Sequence, residues 1–154
     1  MELYKGIEVI DLCLYLKEYK TLVIADIHLG YEESFNQKGV LIPRTQFKDT
    51  YERIEKILKE NKIETAVITG DLKHEFGVIN RAEWENILKI IDLFLKYCKK
   101  LIIIKGNHDV SLPFIARKKG IELSEYYKID DIFVCHGDKI IDNEEFKKSK
   151  LILM

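Results

Sequence analysis

Short apolar segments alternate with longer amphipathic segments along most of this chain. Three segments, TLVIAD, TAVITGD and LIIIKGN, are too short for helices and begin with unbroken apolar runs, which predicts strands covered on both faces. One or two further strands are predicted near the N-terminus, and a later hairpin is predicted to turn at Asp130 and Asp131. These predicted strands lie within residues 7–18, 21–26, 65–71, 101–107 and 126–138.

Helical periodicity connects the predicted strands. Pro43 suits the first turn of one helix, and Asn80 with Glu83 resembles a capping box at the start of the next. Gly120 would close a third, shorter helix. The alternation of strands and helices predicts an α/β fold with a largely parallel sheet, in which ligands bind beyond the carboxyl ends of the strands. The predicted helices span residues 43–61, 80–98 and 111–120.

All four histidines follow one of the apolar segments within a few residues. Acidic or amide side chains accompany them in the motifs DIHLG, GDLKH, GNHD and CHGD. Because parallel strands end side by side, we expect these groups to meet at one rim of the sheet although they are distant in sequence. The polar residues concerned are Asp26, His28, Asp71, His74, Asn107, His108, Asp109, His136 and Asp138.

The spacing and the donor atoms favour a metal site. In an extended chain Asp26 and His28 would point to the same face and could hold one ion. The two oxygens of Asp71 could bridge a pair of ions. Asn107 and His108, as extended neighbours, would point apart, so that one could bind metal while the other faces a substrate. Oxygen and imidazole donors without thiolates suit Mn²⁺, Fe or a catalytic Zn²⁺.

Each motif on its own also has an ordinary structural explanation. Asp26 and His28 would suit a surface loop, and Asp71 would suit a turn or a helix cap. His74 would suit an exposed loop, and His136 a hydrogen-bonded core histidine. These explanations do not account for the placement of every histidine at a strand exit beside a carboxylate or amide, so the combination favours a functional site.

Composition limits the choice of partners and compartment. The 154 residues suit one domain, with 47% hydrophobic and 33% charged residues. The formal net charge of −1 gives no indication of a membrane partner, and nucleic acid stays an option that charge does not support. Three separated cysteines predict free, mostly buried thiols in a reducing cytoplasm. Abundant Lys and Glu are reported for hyperthermophiles, and no apolar run is long enough to span a bilayer.

The motifs DIHLG, GDLKH, GNHD and CHGD, in this order, resemble those of the calcineurin-like metallophosphoesterases. The stretch ADIHLGYEESFNQKGVLIPRTQ is similar to the archaeal SbcD-related phosphoesterases in particular. The resemblance spans nearly the whole chain. It implies a two-sheet sandwich flanked by helices, with two divalent metal ions at the strand ends, Mn²⁺ being favoured over Fe, Zn or Ni. It also implies hydrolysis of phosphomonoesters or phosphodiesters by an activated water.

The resemblance assigns the metal ligands residue by residue. Asp26, His28 and Asp71 would bind one ion. Asp71, Asn107 and His136 would bind the other, so that the Asp71 carboxylate would bridge the pair. All five residues lie in the quoted motifs, and the resemblance therefore implies a dinuclear centre built from four separate loops.

The resemblance also assigns three residues to the chemistry. His108 would face the substrate, where it would stabilise the transition state or protonate the departing oxygen. Asp109 would orient the ring of His108. His74 matches the histidine of a Gly-Asp-x-x-His form found in the nuclease branch, where it would support the ligands or touch the phosphate.

The family pattern continues with a Gly-His-x-His motif, whereas this chain ends with SKLILM. The resemblance therefore predicts a single domain over residues 1–154 that is truncated at its C-terminus and lacks one histidine ligand for each ion. We expect weaker metal binding from such a chain, and a sheet edge that is left uncovered.

Three alternatives stay open at this point. One is an SbcD-like DNA nuclease, for which basic clusters at 99–100, 117–119 and 147–150 are candidate contacts. Another is a non-catalytic protein scaffold on the same fold, and the last is an inactive fragment. The sequence leaves the substrate, the native metal and the oligomeric state undetermined.

Overall fold

Two β-sheets packed face to face, with helices against the outer face of the larger sheet, make up the protein. The structure is a computed structural model that describes residues 1–37, 39–43, 45–74, 81–109 and 112–154. The strands are β1 (Glu2–Tyr4), β2 (Ile7–Ile10), β3 (Cys13–Leu16), β4 (Thr21–Ile24), β5 (Thr65–Ile68), β6 (Lys100–Ile104), β7 (Glu122–Ser124), β8 (Tyr126–Ile129), β9 (Ile132–Cys135) and β10 (Leu151–Leu153). The helices are α1 (Tyr31–Gln37), α2 (Gln46–Glu60), α3 (Arg81–Tyr97), α4 (Leu112–Lys119) and α5 (Glu144–Lys148).

The larger sheet contains seven strands in the order β1 to β7, and the smaller sheet has the order β10–β9–β8. Strands β4 to β7 are parallel, while β1 to β4 form an antiparallel meander. In the smaller sheet β9 pairs in parallel with β10 and in antiparallel with β8. The predicted two-sheet sandwich flanked by helices is therefore confirmed, with its parallel part confined to β4–β7 and the pair β9–β10.

The central strands are buried on both faces because their side chains alternate between two cores. Val67 and Ile102 pack between the sheets against Val134 of β9. Their neighbours Ile68 and Ile103 point the other way and pack against the helices. This double burial explains why β5 and β6 have unbroken apolar sequences.

Helix α2 begins at Gln46 rather than at Pro43, so the predicted start is wrong by three residues. The side chain of the preceding Thr45 makes no capping hydrogen bond. Instead, Oε1 of Glu32 on α1 accepts hydrogen bonds from the amides of Thr45 (3.0 Å) and Gln46 (2.8 Å). A carboxylate from another helix thus accepts hydrogen bonds from backbone amides at the start of α2 that have no partner within the helix. The sequence around residue 46 does not predict this interaction, because Glu32 belongs to a different element.

The other boundaries agree with the sequence pattern. Helix α4 ends at Lys119 and is followed by Gly120 in the left-handed conformation (φ +66°), and the β8–β9 hairpin turns through Asp130 (φ +47°). The proposed cap of α3, Asn80, and the first residue of the third predicted helix, Ser111, lie outside the described residues. Elements α1, α5, β1 and β7 were not predicted. None of the described helices is long and apolar enough to cross a membrane.

The three cysteines are free and buried, as predicted. Burial raises the pKa of the Cys13 thiol to about 12 and that of Cys98 to about 11. Both thiols therefore stay protonated near neutral pH and act as small apolar side chains in the core.

Glu64 ties together the amino ends of the three central parallel strands. Its carboxylate pairs with the ammonium groups of Lys20 (2.6 Å) and Lys99 (2.7 Å), which precede β4 and β6. Its carbonyl oxygen accepts a hydrogen bond from the amide of Lys99 (2.8 Å). The hydrogen bonds from the two lysines lower the pKa of the Glu64 carboxyl to about 2.

We expect Glu64→Gln to lower the urea midpoint of unfolding slightly at neutral pH, because the pair is exposed to solvent. The native pKa of Glu64 is depressed, so its stabilisation is complete above about pH 4.5 and is lost as pH falls toward about 2. The difference in urea midpoint between Glu64→Gln and wild type should therefore become smaller as pH falls from about 4.5 to about 2. Glu60→Gln, at an exposed position of α2, is the control; a pH-independent difference at Glu64 would contradict the assignment.

Candidate metal centre

The predicted site residues lie in four loops at one rim of the sandwich, where β4, β5, β6 and β9 end; we call this edge the carboxyl rim. Asp26 and His28 follow β4, and Asp71 follows β5. Asn107 follows β6, and His136 directly follows β9. The loops meet because their strands are neighbours within a sheet or face each other across the sandwich.

Asp26, Asp71 and His136 form a group of potential metal ligands. Each offers one ligand atom, and these atoms lie within 4.8 Å of one another. Nε2 of His136 is 3.5 Å from Oδ2 of Asp71 and 3.0 Å from Oδ1 of Asn107. The group combines ligands that the resemblance divides between two ions.

The ring of His136 is oriented so that its donor side faces the protein backbone. Nδ1 contacts the carbonyl oxygen of Thr69 at 2.7 Å, and a carbonyl can only accept a hydrogen bond, so Nδ1 carries a proton. The other ring nitrogen, Nε2, then faces the oxygens of Asp71 and Asn107. An imidazole nitrogen beside a carboxylate oxygen and an amide oxygen is a donor set that fits a divalent metal ion.

His28 lies on another side of the Asp71 carboxylate. Nε2 of His28 is 3.9 Å from Oδ2 of Asp71, and the His28 amide donates to the Asp71 carbonyl oxygen (2.9 Å). Its second ring nitrogen, Nδ1, is buried without a hydrogen-bond partner among the described residues. His28 thus adds an imidazole to the donor set next to Asp71.

Asp71 occupies the centre of the arrangement and is only 6% exposed. Its Oδ1 accepts a hydrogen bond from the amide of His108 (3.1 Å), and its Oδ2 lies 3.9 Å from Nε2 of the same residue. No lysine or arginine in the described parts of the chain pairs with Asp71 or Asp26. A buried carboxylate such as that of Asp71, without a lysine or arginine partner among the described residues, favours a bound metal ion at this place.

His108 is held by the backbone that carries His74. The carbonyl oxygen of His74 contacts Nδ1 of His108, and the two rings stack at 6.1 Å with an interplanar angle of 24°. Nδ1 of His108 therefore carries the proton, and Nε2 points toward the Asp71 carboxylate. His74 takes part in the site through its carbonyl group as well as its ring.

Asp109 is fully buried beneath the loop that presents Asn107 and His108. Its Oδ2 accepts a hydrogen bond from the amide of Gly106 (3.0 Å). Burial raises the pKa of the Asp109 carboxyl, the Gly106 amide opposes the rise, and the nearby charge of Asp71 adds to it. In the structure the Asp109 carboxylate therefore stabilises the loop of Asn107 and His108. The His74 carbonyl oxygen contacts the His108 ring and fixes its orientation.

The backbone at three predicted ligands is left-handed rather than extended. Asp26, His28 and Asp71 have φ values of +48°, +46° and +47°. The extended geometry that we expected for Asp26 and His28 is wrong, and Asn107 and His108 likewise lie in a turn. A left-handed residue costs about 1–2 kcal/mol, less for Asp or His than for bulkier types, and such strain concentrates at functional sites.

Two glycines allow the loops to approach closely. A Cβ at Gly106 would overlap the carboxylate and the amide of Asp71, and a Cβ at Gly70 would lie 2.5 Å from Nδ1 of His136. Gly70 also has a φ of +90°, which favours glycine. Gly70 directly precedes Asp71, and Gly106 directly precedes Asn107. The sequence motifs therefore include both glycines, but they do not reveal which atoms of neighbouring loops lie against them.

Asp138, the last residue of the motif CHGD, is exposed beyond His136. Thr69 was missed because it contributes only a carbonyl oxygen, which every residue possesses. The sequence therefore located the side-chain donors but could not reveal the backbone acceptors that orient the two histidine rings.

Comparison with known proteins shows the family of this chain. The calcineurin-like phosphoesterase family matches residues 19–152, and the chain belongs to this family. No curated protein matches significantly.

Two solved structures are similar to this chain, and the first of them shares its fold. The nuclease MPE of Pseudomonas putida is 20% identical, with a TM-score of 0.66 over 86% of this chain and 62% of that one. A protein of unknown function from Aquifex aeolicus is 19% identical, with a TM-score of 0.48 over 83% of this chain and 67% of that one. This chain thus spans 62% of the length of the nuclease, and likeness at these identities concerns the fold alone.

We expect Gly106→Ala to weaken Mn²⁺ binding, because the added methyl group would displace the Asp71 carboxylate. Isothermal titration calorimetry with Mn²⁺ alone measures the effect. Gly120→Ala is the matched control, since its φ of +66° brings strain while no atom lies within 4 Å of the added Cβ. Equal Mn²⁺ affinity of Gly106→Ala and wild type would contradict the close packing described here.

Proposed function

We propose that the protein is a metal-dependent phosphoesterase that hydrolyses phosphomonoesters or phosphodiesters at a dinuclear centre. The observation that carries the proposal is the position of the Asp71 carboxylate among three imidazoles, with ring nitrogens of His28, His108 and His136 at 3.9, 3.9 and 3.5 Å from its Oδ2. The proposed ligands are Asp26, His28, Asp71, Asn107 and His136, and the Asp71 carboxylate would be shared between the two ions. Mn²⁺ is the proposed metal.

The two ions, when bound, would supply positive charge to the phosphoryl oxygens and a water nucleophile at neutral pH. Side chains of the protein would bind the ions and position the loops around them. Asp71, Asp26 and His136 would hold the cations, and the Thr69 carbonyl orients the His136 ring so that Nε2 faces the Asp71 carboxylate. Gly106 and Asp109 fix the loop that presents Asn107.

His108 is the proposed catalytic group. Because Nδ1 of His108 contacts the His74 carbonyl oxygen, any second proton resides on Nε2, the nitrogen that faces the Asp71 carboxylate. The imidazolium form would stabilise the charge on the phosphoryl oxygens and could deliver the Nε2 proton to the departing oxygen. His74 and Asp109 would act through His108 by holding its ring and its loop.

The ion pairs on the surface bear on the alternative of an SbcD-like DNA nuclease. Lysines of all three predicted basic clusters pair with nearby carboxylates at 2.6–2.7 Å, which lowers the free positive charge available to a phosphate backbone. This supports a small ester as substrate over a long polymer. The pairs are Lys99–Glu64, Lys100–Glu122, Lys119–Asp92, Lys147–Asp142 and Lys150–Asp131.

We expect Asp71→Ala to abolish tight Mn²⁺ binding, because one carboxylate contributes to both proposed ion positions. Metal content after dialysis against Mn²⁺, measured by mass spectrometry, tests this expectation. Asp142→Ala, at an exposed carboxylate paired with Lys147, is the control and should bind as wild type. Full Mn²⁺ occupancy in Asp71→Ala would refute the bridge. Absence of binding by wild type would favour a non-catalytic scaffold or an inactive fragment.

We expect His108→Ala to lower turnover of bis(p-nitrophenyl) phosphate by roughly 10²–10⁴-fold while metal content changes little. Wild-type activity should vanish with a chelator and return with Mn²⁺. Loss of the metals from His108→Ala would show that this residue is a ligand instead. Parallel assays on p-nitrophenyl phosphate and on single- and double-stranded DNA separate small-ester hydrolysis from nuclease activity.

A further inference from the structure

Tyr31 places a partly exposed aromatic ring next to the candidate metal centre. It is the first residue of α1 and follows the loop of Asp26 and His28 after two intervening residues. The ring is 43% exposed, whereas most aromatic rings in the two cores are buried or half-buried. It therefore offers apolar surface to a ligand at the carboxyl rim.

The loop that carries Tyr31 is fixed to the loop that carries Asp71. The amide of Leu29 donates to the carbonyl oxygen of Leu72 (2.9 Å), and the amide of His74 donates back to the carbonyl of Leu29 (2.9 Å). These two hydrogen bonds form a short parallel bridge between the loops. The position of Tyr31 relative to the metal ligands is thus set by backbone contacts and not by its own side chain.

Ring contacts determine the orientation of the Tyr31 side chain. Its ring meets that of His74 nearly at right angles at 4.8 Å, and packs at a tilt against Phe35 at 4.9 Å. The His74 ring stacks in turn on His108, the residue proposed to face the ester. Tyr31 is therefore one ring removed from the proposed catalytic group, His108.

The chemical character of this surface favours a flat neutral group. The hydroxyl of Tyr31 has no hydrogen-bond partner among the described residues, whereas those of Tyr15 and Tyr19 are bonded to other parts of the protein. The next two residues, Glu32 and Glu33, are acidic, which disfavours a second phosphate group beside the ring. A nucleobase combines a stacking face with hydrogen-bonding groups and carries no negative charge.

We propose that Tyr31 forms a stacking subsite for the base of a nucleotide-type phosphoester whose phosphate lies at the metal centre. This inference rests on the proposed phosphoesterase function and adds to it the substrate class. Stacking of a base on an aromatic side chain should raise affinity by roughly tenfold relative to the same phosphate without a base. The nucleotide is bound as a small ester, in agreement with the paired basic clusters.

The test compares two phosphonates that differ only in the base, namely the hydrolysis-resistant analogues of AMP and of ribose 5-phosphate. Their affinities are measured by calorimetry with the Mn²⁺-loaded protein, so that no turnover is needed. The wild type should bind the AMP analogue roughly tenfold more tightly. Tyr31→Ala should remove this preference and leave the affinity for the ribose analogue unchanged, while Tyr31→Phe should keep the preference.

Tyr4→Ala is the matched control, since Tyr4 is 61% exposed on β1, outside the four loops of the carboxyl rim. Equal affinities of the wild type for the two analogues, or a preference that survives Tyr31→Ala, would overturn the stacking subsite alone. Failure of the Mn²⁺-loaded protein to bind either analogue would overturn the proposed phosphoesterase function, and the subsite with it. Urea unfolding of each variant verifies that the substitutions leave the fold intact.

Discussion

Burial of the Asp71 carboxylate is the constraint on which the arrangement of the carboxyl rim depends. A buried anion costs several kcal/mol unless charge or hydrogen bonds compensate it. Within the described residues Asp71 receives the amide of His108 and faces three imidazoles, but no lysine or arginine. Because residue 106 is a glycine, the Asp71 carboxylate can occupy the space that a side chain at that position would fill. In the proposed centre a divalent cation would supply positive charge beside this carboxylate, which would connect the packing of the rim to the chemistry of the family.

The scaffold holds this site against local strain. Asp26, His28 and Asp71 adopt left-handed backbone conformations, and the surrounding sheet must stabilise them. Strands β4, β5 and β6 are covered on both faces, and Glu64 ties their opposite ends together. The hydrogen bonds between Leu29 and the loop after β5 then join two ligand-bearing loops directly. Rigid strands with strained, hydrogen-bonded loops are a common means of fixing ligand atoms before the metal arrives.

Much of this arrangement could be predicted from sequence because it follows from burial. The apolar runs of β5 and β6 identify strands covered on both faces, and parallel neighbours bring Asp71 and Asn107 to one rim. Local sequence could not predict the start of α2, since the cap comes from Glu32 on another helix. It also could not reveal the left-handed backbone at His28, which results from contacts with the neighbouring loop. Both features depend on contacts with residues distant in sequence, which local sequence patterns do not reveal.

The central claim is that side chains from separate loops share bound cations around Asp71. Anomalous diffraction from crystals of this chain soaked in Mn²⁺ tests it most directly, because the method locates the metal without reference to activity. The account predicts manganese peaks within coordination distance of the Asp71 carboxylate, with Asp26 and His136 among the other ligands. Manganese bound elsewhere while the Asp71 carboxylate has none, or no ordered manganese at all, would contradict the account.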